Sequence, residues 1–180
     1  MSMEKYNKIH FIGIGGISMS SLAEILKSKG KTITGSDGVA SNVTKALENI
    51  GIQVSIGQKA ENITPDTDLI VYTAAVREDN PELMAARASG IETVDRAALV
   101  GMMMLEYKFP LSVAGTHGKT TTSSLVTEIF LEAKANPTVS IGGILPSIKG
   151  NYKVGGEDYF ILETCEYCDS FLKFNPHGAI

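Results

Sequence analysis

The run Ala114-Gly115-Thr116-His117-Gly118-Lys119-Thr120-Thr121-Thr122 sits between an apolar stretch, Leu111 to Ala114, and a helix-forming one, Ser123 to Lys134. Strand, glycine-rich turn and helix in that order form a phosphate-binding loop and place this part of the chain in an α/β unit. The glycines let backbone N–H groups close around phosphate oxygens, and the helix that starts at the turn adds the positive end of its dipole. Lys119 would neutralise the outer phosphates of ATP, and the hydroxyl of Thr120 would hold Mg²⁺. The match to G-x-x-x-x-G-K-[ST] is imperfect. Val113 stands where the first glycine is expected, and the glycine arrives at Gly115. A plain strand-to-helix turn rich in Gly and Thr is the structural alternative.

Bulk properties narrow the partners. The 180 residues carry a net charge of -4, with 43% hydrophobic and 20% charged residues, and no basic stripe or acidic tail. Nucleic acid and anionic membrane are therefore excluded as expected partners. The apolar run Ile9 to Ile17 is broken by three glycines and reads as neither signal peptide nor spanning helix, so a cytoplasmic location is expected. Cys165 and Cys168 are spaced as C-x-x-C, but no second cysteine pair exists and only His177 lies near. Two reduced thiols are a simpler reading than a zinc site.

The first half alternates short apolar runs with amphipathic segments, as a parallel sheet wrapped by helices does. Ile9 to Ile14 is the first strand; Met19, Leu22, Ala23 and Leu26 mark a helix face ending near Gly30. A second strand, Thr32 to Gly35, leads to Ser36-Asp37-Gly38, and Val43, Ala46, Leu47 and Ile50 mark the next helix face. Strands follow at 54–56, 68–73 and 92–94, with helices over 81–88 and 96–105. Around Glu106 to Pro110 the pattern restarts, which predicts a boundary between domains 1–107 and 108–180. In the second region Thr138 to Ile141 is a strand, Gly142-Gly143 opens a loop to Gly156, and Tyr159 to Glu163 is another strand. His177 to Ile180 reads as the start of a further strand, so the chain is expected to be the front portion of a longer protein.

His10-Phe11-Ile12-Gly13-Ile14-Gly15-Gly16-Ile17-Ser18-Met19 carries a Rossmann-like turn after the first strand, with Gly13, Gly15 and Ser18 in the three motif positions. Asp37 ends the second strand at the distance where an acid meets a ribose hydroxyl, although capping a helix would use it equally well. The pattern alone does not say which nucleotide binds. A hydride-transfer enzyme has no use for an ATP loop downstream, whereas an ATP-driven ligase acting on a nucleotide-linked substrate needs both sites.

Taken in order, Ile12 to Ser20, Gly35-Ser36-Asp37, Asp79-Asn80-Pro81-Glu82, Ala114 to Thr122, and Glu163-Thr164-Cys165-Glu166-Tyr167 with Ser170-Phe171-Leu172 resemble the Mur ligases of bacterial peptidoglycan synthesis. The resemblance covers essentially the whole chain, and the shortened loop Gly115 to Thr120 is the variant that family uses. It implies an α/β fold: a Rossmann-like parallel-sheet domain that binds a UDP-sugar, then the start of a phosphate-loop ATPase domain. A third domain, which helps bind the incoming amino acid, would lie outside this chain, and the 180 residues alone are expected to be inactive as a ligase. For the alanine-adding branch the substrates are UDP-N-acetylmuramate and L-alanine, with ATP and Mg²⁺ as cofactors. ATP phosphorylates the sugar's carboxylate, the amine attacks the acyl phosphate, and the tetrahedral intermediate collapses to an amide and phosphate. A peptide-recycling branch acting on the same UDP-sugar and a non-catalytic UDP-sugar or nucleotide-binding module are the alternatives.

The same resemblance assigns residues. Gly115, Thr116, His117, Gly118, Lys119, Thr120 and Thr121 would bind ATP, with Lys119 on the β/γ phosphates and Thr120 on the metal. Glu163 would reach Mg²⁺ directly or through water, with Glu166 a second candidate. Its position at the end of a strand of Tyr159, Phe160, Ile161 and Leu162 independently points it at the ligand edge of a sheet. Gly13, Gly15, Gly16, Ser18 and Met19 would cradle the UDP pyrophosphate, Asp37 would approach the uridine, and Gly142 and Gly143 resemble a glycine pair near the muramoyl end. Two positions depart from the family: Ser18 replaces a common glycine, and Cys165 stands where many members have an acid.

Overall fold

The computed structural model describes residues 3–164 and 174–180. Expectations resting on Cys165, Glu166, Tyr167, Cys168, Ser170, Phe171 and Leu172 fall outside them. The chain divides into two compact units, Glu4–Leu99 and Val100–Ile180, the second also taking in Met3.

In the first unit, β1 (Lys8–Ile12), β2 (Thr32–Asp37), β3 (Gln53–Ile56), β4 (Leu69–Tyr72) and β5 (Glu92–Asp95) form one sheet in the order β3-β2-β1-β4-β5. All four pairings are parallel. The order reverses between β1 and β4, so the connections wind outward on either side and leave a crevice at the carboxyl ends of those two strands. Ile9, Phe11 and Ile12 on β1 are fully buried, as a central parallel strand covered on both faces requires. Helix α1 (Ile17–Ser28) buries Met19, Leu22, Ala23 and Leu26, the face its spacing predicts.

Helix α2 (Asn42–Asn49) corrects an expectation. It buries Thr44 and Leu47, while Ile50 is exposed just past its end and the neighbouring core position is taken by Ile52. A capping box, with the Ser41 hydroxyl accepting the Thr44 N–H and the Thr44 hydroxyl accepting the Ser41 N–H, fixes the rotation of this short helix more firmly than its apolar spacing does. Helix α3 (Pro81–Ala88) starts at a proline, with the Asn80 side chain accepting the N–H groups of Glu82 and Leu83.

A buried polar network ties these elements together. His10 on β1 places Nε2 2.8 Å from Glu82 Oε1 and Nδ1 2.8 Å from Thr34 Oγ1. The Ser36 hydroxyl donates to the other Glu82 oxygen at 2.6 Å. Glu82 is 0% exposed and His10 3%, so neither can turn to water for a replacement partner. Glu82→Ala is therefore expected to cost about 3 kcal/mol of stability, because it strands His10 and Ser36 together. Urea unfolding measures this; a loss below about 1 kcal/mol would show that the two groups find other partners.

The second unit contains β6 (Phe109–Val113), α5 (Lys119–Glu132), β7 (Thr138–Leu145), β8 (Gly150–Lys153), β9 (Tyr159–Glu163) and β10 (Gly178–Ala179). Helix α4 (Arg96–Met104) runs across the division between the units. The sheet order is β10-β6-β9-β7-β8, parallel except for β7 against β8. Val139, Ile141, Leu145 and Ile161 form a core with Leu111, Val126, Phe130 and Ile148 packed against it. Of the strand expected over His177 to Ile180, Gly178 and Ala179 pair with β6 as β10.

The expected loop after Ile141 is instead a hairpin. Strand β7 continues through Gly142-Gly143 to Leu145, turns over Pro146–Ile148 and returns as β8. Its register slips between Ser140 and Leu145, so the glycine pair occupies an irregular stretch of strand rather than its end. Among the described residues no helix is long and apolar enough to cross a membrane.

Candidate functional site

The exposed loop from Ala114 to Gly118 joins β6 to α5. Gly115 and Gly118 take φ of 141° and 77°, values that disfavour any residue with a β-carbon. Gly118 is the N-cap of α5, whose first turn holds no acid. The N–H groups of Thr116, His117 and Gly118 meet no acceptor among the described residues. Open amides at the positive end of a helix suit a polyphosphate. Lys119 donates from Nζ to Gly115 O at 2.6 Å, folding its ammonium back over the loop.

Glu163, at the end of β9, completes this region. Oε1 accepts from Thr120 Oγ1 at 3.0 Å; Oε2 accepts from Gly142 N at 2.9 Å and Ser123 Oγ at 3.3 Å. The Gly142 amide and the Thr120 hydroxyl, the group expected to meet the metal, hold the carboxylate, and the single Ser123 proton is shared between it and Thr120 O at 3.1 Å. A carboxylate and a hydroxyl converging at the foot of a phosphate loop are hard oxygen donors of the kind Mg²⁺ takes, so these residues fit the metal and nucleotide. Gly142 and Gly143, expected at the muramoyl end, lie in this second unit. A β-carbon on Gly142 would stand 2.8 Å from Glu163 Oε1, and one on Gly143 2.8 Å from Thr120 Cγ2. Both glycines leave the room that Glu163 and Thr120 occupy. Ser123, buried on α5, belongs to no motif of its own; the signal for it in the sequence is its place one helical turn beyond Thr120.

In the first unit a cleft of about 610 Å³ opens at the crevice between β1 and β4. Gly13, Gly16, Asp37, Gln58, Thr73 and Asn80 are among its lining. Gly13 has φ 83°, and a β-carbon there would lie 2.6 Å from Thr73 Cγ2. The turn is tied down from below: the N–H groups of Gly13 and Ile14 both donate to Ser36 O at 2.9 Å. Gly35, paired with Phe11, lets the strands approach; its β-carbon would meet Ile14 Cδ1 at 2.6 Å and Phe11 O at 2.8 Å.

Asp37 accepts from Gly15 N at 2.9 Å and from Val39 N at 3.2 Å. It thus braces the glycine turn, while Ser41 caps the next helix. Ser18 and Met19 stand in the first turn of α1, Met19 with its side chain buried. Asn80 and Gln58, joined by a 2.7 Å hydrogen bond, add polar groups on the cleft's far wall that the sequence alone did not assign. Among the described residues no group of His, Cys, Asp and Glu gathers as a metal cluster.

These two sites invite comparison with known proteins. The model of the Mur ligase family, catalytic domain, matches residues 8–108, more than half of the chain. The UDP-N-acetylmuramate--L-alanine ligase of Agathobacter rectalis is 58% identical over 96% of this chain, and that of Caldanaerobacter subterraneus subsp. tengcongensis is 51% identical over 100% of it. The chain spans only 38% and 39% of those two relatives. Among solved structures, UDP-N-acetylmuramate-alanine ligase MurC from Thermotoga maritima aligns with TM-score 0.86 at 36% identity, covering 96% of this chain and 40% of that one. UDP-N-acetylmuramate:L-alanyl-gamma-D-glutamyl-meso-diaminopimelate ligase from Neisseria meningitides aligns with TM-score 0.85 at 26% identity, covering 97% and 59%. A braced glycine turn in one unit, a phosphate loop in the next and a family match across the first together place this chain in the Mur ligase family.

Proposed function

We propose that the protein carrying this chain joins L-alanine to the carboxylate of UDP-N-acetylmuramate at the expense of ATP, a step of peptidoglycan precursor synthesis. In this reading residues 1–107 hold the UDP-sugar and residues 108–180 supply the opening part of the ATP site. The observation that carries it is the convergence of Thr120, Ser123 and the Gly142 amide on Glu163 beneath a loop with open amides. The identity of 51–58% to alanine ligases, against 26% to a peptide ligase structure, favours alanine as the amine.

The chemistry is a problem of charge. A carboxylate oxygen attacks the γ-phosphorus, the bond to the β-phosphate oxygen breaks and ADP leaves, so two anions must be brought together first. The loop amides and Lys119 offset charge on the β and γ phosphates, and α5 points its positive end at them. Thr120 and Glu163 would hold Mg²⁺, which supplies Lewis-acid neutralisation of the phosphate oxygens. The alanine amine then attacks the acyl carbon, and the tetrahedral intermediate collapses as the carbon–oxygen bond to phosphate breaks and the nitrogen gives up a proton to solvent, leaving the amide and inorganic phosphate. With ATP and a nucleotide sugar as substrates, we place the reaction in the cytoplasm.

Phosphate release by the whole protein tests this reading. It should require UDP-N-acetylmuramate and L-alanine together. Release with the tripeptide in place of alanine would assign the recycling reaction, and tight UDP-sugar binding with no release under either condition would make the protein a sensor.

A further inference from the structure

Arg96 follows directly on β5, so it emerges at the same edge of the parallel sheet as the glycine turn after β1. Its guanidinium crosses to α1, where Nη1 donates to Ser18 Oγ at 3.1 Å. Arg96 is half-buried and forms no ion pair among the described residues. A cation against the positive end of a helix is electrostatically unfavourable. Helix α1 offers no relief, since its first turn has no acid and its N-cap, Gly16, has no side chain.

The donors near that cation are open, while those of the glycine turn are committed. Gly13 and Ile14 donate to Ser36 O, and Gly15 donates to Asp37. The first intrahelical bond of α1 is Ser20 N to Gly16 O at 2.8 Å. The N–H groups of Ser18 and Met19 precede it and take no acceptor among the described residues. Of the residues expected to cradle the pyrophosphate, the glycines at 13 and 15 have their amides committed, while Ser18 and Met19 keep theirs available, beside a guanidinium that forms no ion pair among the described residues.

We infer that Arg96 is a diphosphate-contacting residue of the UDP-sugar site, acting with the Ser18 and Met19 amides. This rests on the UDP-sugar reading above and extends it to a residue that no motif marks. The bound diphosphate supplies the negative charge that the helix end and the guanidinium both lack. A planar fork of donors also matches two phosphate oxygens at once, which a lysine ammonium does not reproduce. Uridine alone, without phosphates, gains nothing from Arg96.

Binding to the whole protein distinguishes the possibilities, with UDP-N-acetylmuramate and UDP titrated calorimetrically and uridine followed by ligand-observed NMR. Arg96→Ala should weaken UDP and UDP-N-acetylmuramate by a similar factor, about tenfold or more, and leave uridine unchanged. Arg96→Lys should recover part of the loss, and the salt dependence of UDP binding should be shallower in Arg96→Ala. Equal weakening of all three ligands would mean a merely structural role and overturn the inference. Unchanged UDP affinity in Arg96→Ala would overturn it while leaving the UDP-sugar reading intact. Failure of the unaltered protein to bind any of the three would remove that reading and the inference with it.

Discussion

Lys119→Ala in the whole protein is expected to lower turnover by about 10³-fold or more while UDP-N-acetylmuramate binds as before. The two effects separate because the glycine-turn cleft and the phosphate loop are built on different units of the chain. In the conformation described, Lys119 satisfies itself on Gly115 O. In the proposed site, nucleotide binding would exchange a neutral carbonyl acceptor for phosphate oxygens, and the charge-assisted bond is the stronger of the two. Without the ammonium, only the loop amides, the end of α5 and the metal that Thr120 and Glu163 would hold remain to offset charge on the transferring phosphoryl group. Phosphate-release rates and calorimetric titration with the UDP-sugar check both halves. Turnover within about threefold of the unaltered protein would remove Lys119 from the proposed chemistry.

Glu163→Ala should cost about 10²–10³-fold in turnover and raise the Mg²⁺ concentration needed for half-maximal rate. Its carboxylate is fixed before any ligand arrives by Thr120, Ser123 and the Gly142 amide. Thr120 can keep donating its proton to Glu163 while its lone pairs face the cation, so one geometry serves both states. Removing the carboxylate would take away the proposed metal ligand and free the Thr120 hydroxyl to turn away. Nucleotide binding titrated with and without Mg²⁺ separates this from misfolding. A variant that keeps metal-dependent nucleotide binding at unaltered affinity would show that Glu163 does not serve the metal.

Much of this arrangement can be read from the chain alone, and the exceptions have physical causes. The face of α1 follows from Met19, Leu22, Ala23 and Leu26 because a long helix packed on a sheet must bury a stripe at that spacing. The acid at Glu163 follows from an apolar strand running into a charge at the ligand edge. By contrast, Gly142-Gly143 looks like the end of a strand because glycine is rare inside one. Here the pair continues as β7, since a side chain would collide with Glu163 and Thr120, residues far away in sequence. The partnership of His10, Ser36 and Glu82 is equally invisible, because it depends on strand register and on which face α3 turns to the sheet. Asp37 illustrates a third case: its position is legible, but its hold on the Gly15 amide is a matter of side-chain rotation.

The contact between positions 120 and 143 constrains how such a chain can drift. With only 2.8 Å available between a β-carbon on Gly143 and the methyl of Thr120, Gly143 cannot gain a side chain while Thr120 stays as it is. Serine in place of Thr120 keeps the hydroxyl and removes that methyl, so it opens a route that alanine at 143 taken first does not have. At this pair the order of substitution thus follows from a single interatomic gap, and the two positions are coupled through sterics whatever chemistry either performs.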